Sequence, residues 1–349
     1  MRSVLLEFIS TDTKTIIFVV RQDWAKRGIE DSEPLVYEAH ISEEDIIKCV
    51  GDIRGLYDEW RHEGYNHSYL EQINLAKRSN FYSIGEAIFS NALMEAIEGY
   101  ELIYFVPFSA LHHLPIHAMR YDGDDIIDRF ACSYLPSASV LQFSNRETKR
   151  ADSYSIKSVG VDFKGEWKEF AKEAQDVANA PFWHQSTHFI QSYATKANFF
   201  AHNEPYNVLH CSTHGYFDRE DAMESGIMLY DAKLSVHDLI TNLNTPFELV
   251  FFSACVSGEN KNEAGDELIG LSRGLFYGGS KAMILSLFNT LKNVTLDSEV
   301  HIKHFYQEWI EEAQPKAIAF QHYIQKLKAK ERYNHPFYWF AYILIGNPY

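Results

Sequence analysis

The sequence predicts a three-layer α/β/α fold with a mostly parallel sheet, preceded by an antiparallel β meander. Three observations carry this. Past residue 153, short apolar runs at 156–161, 206–211, 249–254 and 282–287 read as buried strands separated by helix-like segments. Ahead of them, residues 4–9, 15–20 and 34–39 are extended runs spaced closely enough to form a meander. The 349 residues, 46% hydrophobic and 15% aromatic, suffice to cover such a sheet on both faces.

In chain order, the second and third strands of the meander are joined by a polar loop around Asp31. Ser42, followed by Glu43, Glu44 and Asp45, is a helix start: the hydroxyl caps, and the acids meet the positive end of the helix dipole. Residues 63–69 are polar and read as a loop between helices, and 84–98 read as one helix. Residues 102–106 form a strand that Pro107 stops. The charged stretch ETKRADS at 147–153 marks a linker and divides the chain into 1–150 and 151–349. Beyond it come a strand at 156–161, helices at 166–178 and 195–202, and the strand at 206–211. An extended piece covers 226–229, Ser235 caps a short helix, and a strand runs through 249–254. Leu268, Leu271 and Leu275 share one helix face, and Gly278-Gly279 turns that helix into the 282–287 strand. Helices over 294–312 and 315–330 follow, and residues 337–345 close the sheet.

Composition excludes several classes of function. Forty-eight acidic residues against 32 basic give a net charge of −16, which disfavours a nucleic-acid groove or an anionic membrane surface and favours polypeptide partners. Cys49, Cys132, Cys211 and Cys255 form no CxxC, so neither a zinc site nor a redox motif is indicated. The opening residues lack the apolar run of a secretory signal, and the reading is a cytoplasmic chain with reduced thiols. No stretch of about 18 apolar residues occurs, so no membrane span is expected.

Two of the buried strands end in reactive side chains. LVFFSACVSG (249–258) reaches Cys255, and VLHCSTHG (208–215) reaches His214. They lie 41 residues apart, one strand–helix–strand excursion, which allows them to sit side by side at the carboxyl ends of a parallel sheet, where ligands bind. An imidazole there can take the thiol proton and return it to a leaving amine. Gly215 lets a substrate backbone come close, and the N–H groups of Gly215 and Cys255 can form an oxyanion hole. The pattern alone leaves alternatives open. A cysteine ending an apolar strand is most often core, and a single histidine is most often satisfied by its surroundings. His210 and Cys211 compete; alternation puts His210, Ser212 and His214 on one face, with Cys211 turned into the core. His112-His113 read as structural, since adjacent histidines on a strand would point to opposite faces and could not share a metal. His301 and His304, at i and i+3, permit a shared metal but read as a solvated helix face. Asp218 and Glu224 are placed to orient the histidine or to make turns.

Longer segments carry a resemblance. They are ELIYFVPFSALHHLPIHAM (101–119), RFACSYLPSASVL (129–141), VLHCSTHGYFD (208–218) and ESGIMLYDAKLSVHDLI (224–240), followed by ELVFFSACVSG (248–258), AGDELIGLSRGLFYGGSKAMILSLF (264–288) and HPFYWFAYILIG (335–346). In this order they resemble the CHAT proteases (caspase HetF associated with TPRs), relatives of caspases and separases. The resemblance implies a caspase-like catalytic half in 151–349 after a pseudo-protease half in 1–150. It implies peptide-bond hydrolysis by Cys255 with His214 as base, without metal or cofactor. It also implies a protein substrate and a regulatory protein partner, in bacterial regulation or antiviral defence. Family members are commonly fused to TPR repeats; this sequence shows no such array, so a standalone protease domain restrained by a separate partner is expected.

Three positions bear on substrate contact. Phe288 opens FNTLKN (288–293), where relatives often carry a tryptophan and an acidic pair, and it borders the expected cleft. Asp266 precedes Glu267 where the family often has an acid followed by glycine; it either caps the next helix or touches a basic substrate side chain. Ser253 stands where related enzymes place a charge-reading residue, and its neutrality argues against strict selection of arginine, lysine or aspartate before the cut. The rival readings are a catalytically silent CHAT interaction scaffold and a cysteine acyltransferase using the same dyad.

Overall fold

The computed structural model of the chain describes residues 1–21, 34–141, 151–163, 169–201, 206–216, 218, 221–242, 247–253, 272, 275–287, 297 and 301–349. They fall into two units, Met1–Ala138 with Leu327–Phe340, and Ser139–Lys326 with Ala341–Tyr349.

The first unit is built on the meander. Strands β1 (Ser3–Ser10), β2 (Thr15–Arg21) and β3 (Leu35–Ala39) pair antiparallel in that order. On the free edge of β1 runs β4 (Leu102–Val106), in parallel. All five residues of β4 are buried, which is why it reads as the unbroken apolar run LIYFV. A small hairpin, β5 (Arg120–Tyr121) and β6 (Asp124–Asp125), follows. It turns at Asp122 and Gly123, whose φ values of 52° and 85° are those of the mirror-image turn that Asp-Gly favours. Strand β7 (Ala131–Tyr134) then pairs in parallel with β4.

The helix Glu43–His62 starts as expected at Ser42. The Ser42 hydroxyl accepts from the Asp45 N–H, and the Asp45 carboxylate accepts from the Ser42 N–H, closing a capping box. Two expectations change nearby. The polar stretch 63–69 is partly helical, because the Asn66 side chain accepts from the N–H groups of Ser68 and Tyr69 and starts the helix His67–Leu70. The single helix expected over 84–98 is two, Phe81–Ile88 and Asn91–Ala96; the Ser90 hydroxyl caps the second by accepting from the Leu93 N–H. The loop around Asp31 lies outside the described residues.

Residues 327–340 complete this unit. The buried Trp60 ring packs edge-on against Tyr57 and Tyr338 and tilted against Phe337, with Phe337 at 5.8 Å and Tyr338 at 5.4 Å between centroids. Lys328 Nζ donates to Asp125 at 2.7 Å and also to Asp128, and His335 Nε2 lies 3.2 Å from the Ile73 carbonyl oxygen.

The second unit holds the larger parallel sheet. Its strands are β8 (Ser155–Gly160), β9 (Gln185–Ile190), β10 (Val208–Ser212), β14 (Leu249–Phe252), β15 (Ala282–Ser286) and β16 (Tyr342–Gly346). Three short strands between β10 and β14 are taken up below. In space the order is β9-β8-β10-β14-β15-β16; every neighbouring pair is parallel except β15 with β16. On one face His210 lies level with Ser158 and Phe251, and this face receives the helices Glu169–Ala178 and Lys303–Ile310. On the other face Lys157, level with Leu209, donates from Nζ to the Phe199 carbonyl oxygen of the helix Lys196–Ala201 at 2.8 Å. With both faces covered, β8, β10, β14 and β15 are buried throughout. Gly160 permits the helix Glu169–Ala178 to close on β8: a Cβ there would stand 2.7 Å from the Ala174 Cβ and 2.8 Å from the Phe170 carbonyl oxygen.

Strand β9 is an addition to the sequence reading; it is an edge strand with Phe189 as its one buried residue, so its sequence QSTHFI lacks a strand's apolar signature. The closing strand is shorter than expected, because Pro336–Tyr338 form a 3-10 turn and β16 starts at Tyr342. Most of the 147–153 linker and the Leu268–Leu271 stretch lie outside the described residues. Among the described residues, no helix is long and apolar enough to cross a membrane.

Phe337→Ala removes a buried ring from the Trp60 cluster. It is expected to lower stability by about 3–5 kcal/mol, read as a fall in urea midpoint at unchanged m-value.

Candidate active site

Strand β10 carries the chain to His214 at the carboxyl end of the parallel sheet. The strand is regular to Ser212 and bends at Thr213, so the alternation expected for His210, Ser212 and His214 stops short of His214. The bend is held from one side. Thr213 Oγ1 donates to the Met228 carbonyl oxygen at 2.7 Å, and the Met228 N–H donates to the His214 carbonyl oxygen at 2.9 Å. The next residues form β11 (Gly215–Tyr216), which pairs antiparallel with β12 (Gly226–Met228), itself paired with β13 (Lys233–Ser235). Gly226 is required in this ribbon, because a Cβ there would lie 2.1 Å from the Leu234 carbonyl oxygen. Gly215 is buried.

The His214 imidazole is half-buried between two phenyl rings. Phe170 meets it edge-on at 5.0 Å between centroids, and Phe163 lies tilted at 5.7 Å. Phe170 is the second residue of the helix Glu169–Ala178, and the Asp162 carboxylate accepts from the N–H groups of Phe170 at 3.0 Å and Ala171 at 3.2 Å. Gln191, at the end of β9, donates from Nε2 to Asp162 at 2.8 Å and accepts the Asp162 N–H at 3.2 Å.

His210 sits deeper, with no exposed surface. Its Nδ1 is 3.0 Å from the Tyr306 hydroxyl and its Nε2 is 3.2 Å from Oε1 of the equally buried Glu173. A peptide has no route to it. Cys211, on the other face, is buried, and desolvation pushes its thiol above its ordinary pKa. Burial does the same to Cys132, and to Cys49, raised to about 12 with help from Asp52.

The neighbouring strand approaches in register. Cys211 is level with Phe252, and the Ser253 N–H donates to the Cys211 carbonyl oxygen at 2.8 Å. Ser253 is buried, its Oγ 3.5 Å from the Tyr342 hydroxyl. Cys255, Asp266 and Phe288 lie outside the described residues.

The remaining candidates have structural surroundings. His112 and His113 lie in the 3-10 turn Ser109–His113. Burial, reinforced by the charges of Arg54 and His112, holds His113 down at about 4. His301 precedes the helix Lys303–Ile310 and is buried, contrary to a solvated face; its Nδ1 accepts the Lys303 N–H and its Nε2 lies 3.7 Å from Asp176. Among the described residues, no cluster of three histidine, cysteine or acidic side chains is placed to hold a metal ion. Asp218 accepts from the Asp221 N–H and the Tyr216 hydroxyl and donates its own N–H to Ser225 Oγ, which are turn contacts. The sequence reading missed Asp162, Phe170, Glu173 and Tyr306. One signal was present: Glu173 interrupts the buried stripe of Phe170, Ala171, Ala174, Val177 and Ala178.

A covered, mostly parallel sheet with a histidine just past a central strand defines an α/β protein of the kind in which ligands bind at the carboxyl ends of the strands. Residues 83–347 match the CHAT domain, and the chain belongs to that family. No curated protein matches it. Among solved structures, the crystal structure of the Arg-specific cysteine proteinase gingipain R overlaps 76% of this chain and 69% of that one, at 11% identity and a TM-score of 0.48.

Buried histidines tie stability to pH. Desolvation lowers His301 from 6.5 to about 4, against the opposing pull of Glu173 and Asp176. Above pH 6.5 both the folded and unfolded chains are neutral at this site; below it only the unfolded chain takes the proton, until the folded pKa near 4 is passed. Stability therefore falls as pH drops through this window, by up to about 3 kcal/mol from His301. His113 and His335, also lowered to about 4, act in the same direction. Urea midpoints should decline steadily across this range, and His301→Gln should flatten the slope.

Proposed function

We propose that this chain is a cysteine endopeptidase with Cys255 as nucleophile and His214 as general base. The register of β10 and β14 carries the reading. Cys211 and Phe252 are level on adjacent parallel strands, and His214 and Cys255 each stand three residues further along the sequence. Matching offsets past neighbouring strand ends favour a meeting of imidazole and thiol, and membership of the CHAT family supports the same pair.

In this reading His214 takes the Cys255 proton, and the thiolate bonds to the scissile carbonyl carbon. The N–H groups of Gly215 and Cys255 donate to the resulting oxyanion. His214 then protonates the amine as the C–N bond breaks, leaving a thioester. A water that gives its proton to His214 attacks the thioester, releases the acid and restores the thiol. Residues 151–349 form the catalytic, caspase-like half and 1–150 a pseudo-protease half. Phe288 and Asp266 border the substrate, with the neutral Ser253 beneath. The substrate is a protein, cut in the cytoplasm under the control of a regulatory protein partner, within a bacterial regulatory or antiviral defence system.

Cys255→Ala should abolish cleavage with an unchanged thermal melt; comparing protein fragments from cells carrying either form, by mass spectrometry, would reveal the substrate. Iodoacetamide should label Cys255 in the folded chain and spare Cys49, Cys132 and Cys211, which are buried with raised pKa values. Labelling of Cys132 or Cys211 with none at Cys255 would sink the proposal. The isolated chain should turn over generic peptides slowly and speed up with its partner; rapid turnover by the pure monomer would refute that restraint.

A further inference from the structure

We infer that Phe170 is a positioning residue for His214, and that the buried Glu173–His210–Tyr306 set holds Phe170 there; this rests on the reading of His214 as the general base. Phe170 is 2% exposed, so a substrate has almost no surface of it to touch. Its edge lies against the imidazole at 5.0 Å. An aromatic neighbour in that geometry limits how far the imidazole can swing.

The helix that presents Phe170 is fixed to the sheet by several contacts, among them the Ser158 hydroxyl, which donates to the Ala174 carbonyl oxygen at 2.8 Å. Gly160 brings it close, Asp162 accepts from the N–H groups of Phe170 and Ala171, and Glu173 bonds His210. Glu173 lies one turn from Phe170, at i+3, so both project from the same face. His210 belongs to the strand that leads to His214. One strand thus carries the anchored histidine and leads to the candidate base, and one helix carries both the anchor and the ring that meets the base.

A fully buried glutamate–histidine pair is a poor way to gain stability, since desolvation consumes most of the attraction. An apolar contact would hold the helix at lower cost but would let it slide. Hydrogen bonds from His210 to Glu173 on one side and Tyr306 on the other are directional and admit one register. A slip of about 1 Å in such a support can cost on the order of 10²-fold in rate.

The test uses the 349-residue chain, NMR of isotope-labelled histidine, and the rate of Cys255 alkylation by iodoacetamide. The variants are Phe170→Leu, Tyr306→Phe and, as a control, Phe199→Leu, a buried ring on the opposite face of the sheet. Phe170→Leu should move the His214 ring-proton signals by removing the phenyl ring current, and Tyr306→Phe should move them by displacing the helix. Both should slow alkylation, by up to about 10²-fold. Phe199→Leu should lower stability and do neither. If Phe170→Leu and Phe199→Leu behave alike, or Tyr306→Phe leaves the His214 signals in place, the positioning role is wrong. His214→Ala separates this from the dyad: an unchanged alkylation rate there overturns His214 as the base of Cys255, and the NMR arm still decides whether Phe170 positions it.

Discussion

Strand β10 hydrogen-bonds in parallel to β8 on one edge and to β14 on the other, and the rest of the second unit takes its reference from that register. A shift of one residue would turn His210 toward the Phe199 side and carry Cys211 to the helix that bears Glu173. The strand resists such a shift because both faces are filled: Glu173 and Tyr306 meet His210 on one, while Leu209 and Cys211 are packed on the other. The pairing runs past the strand itself, through the Ser253 N–H to the Cys211 carbonyl oxygen, to the last described residue before Cys255.

This sheet holds ionisable groups where apolar ones would be expected. His210 and Glu173 occupy one face of its centre, and Lys157 the other, with its ammonium 5.0 Å from the Phe199 ring centre and 5.3 Å from that of Tyr206. Each is tied by directional contacts to a helix or to an aromatic ring. Such contacts define a single arrangement more sharply than they add free energy.

Much of this was readable in the sequence, for definite reasons. Strands β4, β10, β14 and β15 announce themselves as continuous apolar runs because they are buried on both faces. Ser42 announces its helix because capping is local chemistry. Strand β9 is silent because an edge strand with one buried side chain needs no apolar pattern. The break at Ser90 is a cap inside a helix-like stretch, and the hairpin at Asp122-Gly123 had its turn signal but very short strands. The place of His214 just past β10 was legible from the apolar run that leads to it. Phe170 and Glu173 gain their meaning from which strand their helix lies on, and that follows from Gly160 and His210, distant in sequence and adjacent in space.

The segment Leu327–Phe340 has a consequence for how the chain comes to be folded. Residues 1–138 leave the ribosome before residues 327–340, so Trp60 at first lacks the rings of Phe337 and Tyr338, and Asp125 lacks Lys328. At synthesis rates of about 5–20 residues per second, the first unit waits roughly 10–40 s for its last pieces. During that interval its aromatic surface is open to chaperones, or to the same surface on another nascent chain. The first unit is thus completed only after most of the second has been made.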